Sequence, residues 1–77
     1  MNVAESIVEA RRELAAGHEK EAARILTDAV YATHDPEVER EIRHLAEEGL
    51  SHAGRFGKGK WEEIIRIADL RGARGQG

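Results

Sequence analysis

Residues 3–33 read VAESIVEARRELAAGHEKEAARILTDAVYAT, and this stretch decides the fold. Val3, Ile7, Ala10 and Leu14 recur at helical spacing, so they share one face of a helix over about 3–16. Asn2 with Glu5 three residues on is a capping-box pattern that starts it. Gly17 supplies the residue that takes positive φ and ends it. A second helix over about 19–33 has the face Ala22, Ile25, Leu26, Ala29 and Val30, with Glu19 and Glu21 at the positive end of its dipole. So short a link predicts an antiparallel hairpin.

Working outward, Asp35-Pro36-Glu37 is the clearest start signal. Asp35 caps, and proline at the first helical position loses no hydrogen bond. The third helix is expected over about 36–50, with Val38, Ile42, Leu45, Ala46 and Gly49/Leu50 inward and a Glu39–Arg43 pair on its surface. Residues 51–59 hold three glycines and read as a loop. The fourth helix is expected over about 60–70, burying Trp61, Ile64, Ile65 and Ala68, with Ile67 and Leu70 broadening that face. Phe56 and Trp61 flank Gly57 as a hydrophobic staple would. No segment alternates with period two. The expectation is an all-α, four-helix domain of two antiparallel hairpins over 1–71, followed by a flexible tail, 72–77.

Composition bounds the rest. Seventy-seven residues hold one domain at most, since a chain this size buries only about 60% of its unfolded surface. Cysteine is absent, which removes disulfides, thiolate metal sites and thiol nucleophiles. No apolar run approaches the roughly 20 residues of a membrane span. Met1–Arg12 carries two glutamates and lacks a basic-then-apolar design, so no secretory signal is expected and the cytoplasm is the expected compartment. Net charge is −3, unevenly spread: residues 1–54 sum to −6 and residues 55–77 to +3. Such asymmetry marks either a region for an anionic partner or two regions that attract each other.

Enzymatic chemistry finds little support. His18, His34, His44 and His52 form no i, i+4 pair and no H-E-x-x-H, so no metal or other cofactor is expected. His34 instead suits the negative end of the second helix. The carboxylates Glu5, Glu9 and Glu13, and Glu37, Glu41, Glu47 and Glu48, fall on polar faces, and general acid–base work needs a dry cleft. Gly54-Arg55-Phe56-Gly57-Lys58-Gly59-Lys60-Trp61 frees backbone N–H groups beside a helix start. Trp61 stands where a phosphate loop needs the magnesium-holding Ser/Thr, so nucleotide hydrolysis is not expected.

The first hairpin resembles a tetratricopeptide repeat. Ala10, Gly17, Glu21-Ala22, Leu26 and Ala29 fall at the family's intervals, and residues 17–26 read like its turn and second helix. Asp35-Pro36 resembles its closing Asp-Pro, about two residues late. Ser6, Glu9 and Glu13 depart from the large apolar residues usual in the first helix. The second hairpin matches more loosely, through Ile42, Leu45-Ala46, Trp61, Ile65 and Ala68, for two units over about 3–70. The resemblance implies a non-catalytic module gripping a protein or peptide with its first and third helices, here Glu9, Arg12, Glu13, Arg40, Arg43 and His44. Such repeats generally need about three units to stand alone, so an apolar flank and self-association, or a place in a larger complex, are also implied. The competing expectation is a small nucleic-acid-binding protein using Arg55, Lys58, Lys60, Arg71 and Arg74.

Overall fold

The start of the first helix follows from one side chain. In the computed structural model, which describes residues 2–53 and 57–76 (72–76 by backbone), Asn2 Oδ1 accepts the Glu5 N–H at 2.8 Å. The reciprocal half of the box differs from expectation: the Asn2 side-chain amide donates to Glu5 Oε1 at 3.4 Å. Helix α1 then runs Val3–Ala15. It ends in a Schellman turn, with Gly17 at φ +84°, Gly17 N–H on the Leu14 carbonyl and His18 N–H on the Glu13 carbonyl. The two residues that usually make an apolar contact there are Glu13 and His18. They bond instead through Glu13 Oε2 and His18 Nδ1 at 2.7 Å.

Helix α2 spans Glu19–Ala32, α3 spans Pro36–His52 and α4 spans Lys58–Gln76. Asp35 Oδ1 accepts the Glu37 N–H at 2.9 Å, with Pro36 at the first helical position. That cap contributes about 1 kcal/mol. The ends of α3 and α4 depart from the sequence reading. The expected loop is shorter, because α3 continues to His52 and α4 begins at Lys58. Gly59 falls in the first turn of α4, where N–H groups lack helical acceptors anyway. The backbone expected to fray from 72 onward is helical to Gln76. Ahead of that stretch two contacts join α4 to its neighbours: Asp69 meets Arg43 of α3, and Arg71 Nη1 donates to the Thr33 carbonyl at 2.9 Å. The expected Phe56 staple lies outside the described residues.

The fold is all-α, with no strand among the described residues. Helix α1 packs on α2, and α3 packs on α4. Helix α2 also reaches α3 and α4, and α1 reaches α3, while α1 and α4 do not meet among the described residues. The result is a slab of 35 × 26 × 14 Å. Its core joins Ile7 and Ala10 of α1, Leu26 and Val30 of α2, Ile42 and Leu45 of α3, and Trp61 and Ile64 of α4, with further alanines between them. Among the described residues, six of the thirteen buried apolar ones are alanines, so backbones approach closely but little area is buried per residue. Trp61, Leu26, Ile42, Ile64 and Val30 are the largest fully buried side chains.

Two sequence expectations on these faces are corrected. Leu70 does not broaden the buried face of α4; it is 60% exposed. Nine residues at about 100° each carry it half a turn round from Trp61. Glu39 does not pair with Arg43 at the surface. Glu39 is buried on the Ile42–Ala46 stripe, while Arg43 reaches Glu47 at 3.2 Å and Asp69 at 2.9 Å.

Arg71 gives a direct test of what holds α4. Its guanidinium also stacks on Tyr31, 5.8 Å from the ring centroid. Arg71→Ala is expected to lower stability by about 1 kcal/mol, since the contact is partly exposed. Amide exchange should quicken in residues 69–76 and stay unchanged in α1. Equal protection in both variants would show that the contact holds nothing.

Candidate interaction surface

The residues expected to meet a partner begin on α1. Glu9 and Arg12 are one turn apart, and their side chains lie 3.7 Å from each other. Glu13 is engaged at the Schellman turn by His18. Beside Glu9 and Arg12, the outward face of α1 is an open surface. It is made by Asn2, Ala4, Glu5, Val8, Glu9 and Arg12. Val8 is 54% exposed.

Helix α3 lies beside α1, and Arg11 Nη2 meets Glu41 Oε1 at 2.6 Å across the two. Both partners are about half exposed, so the pair orients more than it stabilises. Glu41 therefore marks the side of α3 nearest α1. Arg40 and His44 flank it and are exposed. Arg43, two residues on, lies about 200° round the helix and reaches α4 instead. The structure thus brings Glu9 and Arg12 together, sets Arg40 and His44 on the neighbouring helix, and commits Glu13 and Arg43 elsewhere. The sequence reading missed Arg11 and Glu41. An i, i+4 search finds pairs within a helix, and nothing local signals a pair thirty residues apart.

The basic set is divided as well. Lys58 and Lys60 are exposed on the first turn of α4. Arg71 is committed to the Thr33 carbonyl and the Tyr31 ring. Arg55 and the Arg74 side chain lie outside what the structure describes, as do Gly54 and Phe56 of the glycine-rich segment. The end of α2 is met by Arg71, the position expected for His34, which is itself exposed.

Other charges are arranged on the solvent side. Arg24 hydrogen-bonds Glu21 and holds its carboxyl below the ordinary glutamate value, against a smaller opposing effect of desolvation. Among the described residues no three His, Asp or Glu side chains gather at metal-binding spacing. Among them, too, no helix is long and apolar enough to cross a membrane. The large apolar side chains exposed among them are Val8, Tyr31 and Leu70, one each on α1, α2 and α4.

Compared with family models, curated proteins and solved structures, the chain matches none.

Proposed function

We propose that this chain is a non-catalytic protein–protein interaction module, built as two antiparallel hairpins in the manner of a tetratricopeptide pair. The order of contacts supports the hairpins. Gly49 abuts Trp61 while the earlier Arg43 meets the later Asp69, as helices running in opposite directions require. The three-residue link between α1 and α2 supports the same arrangement for the first pair. Contacts of α1 with α3 and of α2 with α4, with none between α1 and α4 among the described residues, suit stacked units better than a closed bundle.

One observation carries the functional reading: Arg11 and Glu41 join α1 to α3, with Arg12, Arg40 and His44 exposed next to that pair and Glu9 further round α1 against Arg12. A protein or peptide segment of matching charge would lie along both helices. A photo-crosslinker placed at Arg40 should capture a defined protein from the native host, and one at Lys20 of α2 should not. Arg12→Glu with His44→Glu is expected to weaken that capture about tenfold, as loss of good charge pairing does, with unchanged helicity. Equal capture from both sites would sink the reading. So would tight binding to unrelated DNA or RNA that falls steeply with salt and is abolished by Lys58→Glu with Lys60→Glu.

A further inference from the structure

We draw no further inference here: the strongest candidate, the surface patch around the exposed Val8 on the outward face of α1, carries nothing, because nothing in the structure shows what covers it.

Discussion

Trp61→Ala is expected to cost about 3–5 kcal/mol, the range for deleting a large buried aromatic side chain. A domain of this length has a total stability of about 4–12 kcal/mol. The variant should therefore be substantially unfolded in mild urea, where the natural chain is not. The reason is concentration of burial. With alanine at six of the thirteen buried apolar positions among the described residues, the few large side chains supply most of the apolar area, and Trp61 is the largest of them at 1% exposure. Alanine at 61 also leaves a cavity against Gly49, which has no side chain to move into it. Far-ultraviolet circular dichroism against urea measures the loss. A midpoint shift equivalent to less than about 1 kcal/mol would mean that the indole is not buried as described.

Gly49→Ala is expected to destabilise by about 2 kcal/mol, against the helix rule. Alanine ordinarily gains about 1 kcal/mol over glycine inside a helix. At this position an added Cβ would lie 2.6 Å from Trp61 Cε2 and Cζ2, and 2.7 Å from Cδ2. The indole is enclosed on its other sides and cannot yield, so overpacking of up to about 3 kcal/mol outweighs the propensity gain. The sign should change when the ring is reduced. In a Trp61→Phe background, Gly49→Ala is expected to be neutral or stabilising, because the missing second ring returns the space. A double-mutant cycle in urea measures that coupling. Additive effects would show that the two residues do not touch.

Both predictions concern a contact between residues twelve apart in sequence that lie on different helices. The sequence reading placed Gly49 on the inner face of α3 and Trp61 on that of α4, yet had no means of setting one over the other. The candidate surface divides similarly. Glu9, Arg12, Arg40 and His44 were legible as exposed polar positions on the two helices that the tetratricopeptide resemblance selects. That Glu13 and Arg43 are otherwise engaged, and that Arg11 with Glu41 joins the helices, was not.

What was legible rests on short-range chemistry. Asn2, Gly17 and Asp35 act on groups two or three residues away, so their roles follow from residue type and spacing. The inward stripes of α1, α2 and α3 follow from helical period, and with them the all-helical class. Only the tertiary structure decided that Glu39 is buried and that Arg71 holds α4 to the end of α2. These depend on how each helix is rotated and slid against its neighbours. That choice minimises voids and buried charge over the whole slab at once, and no window of sequence contains it.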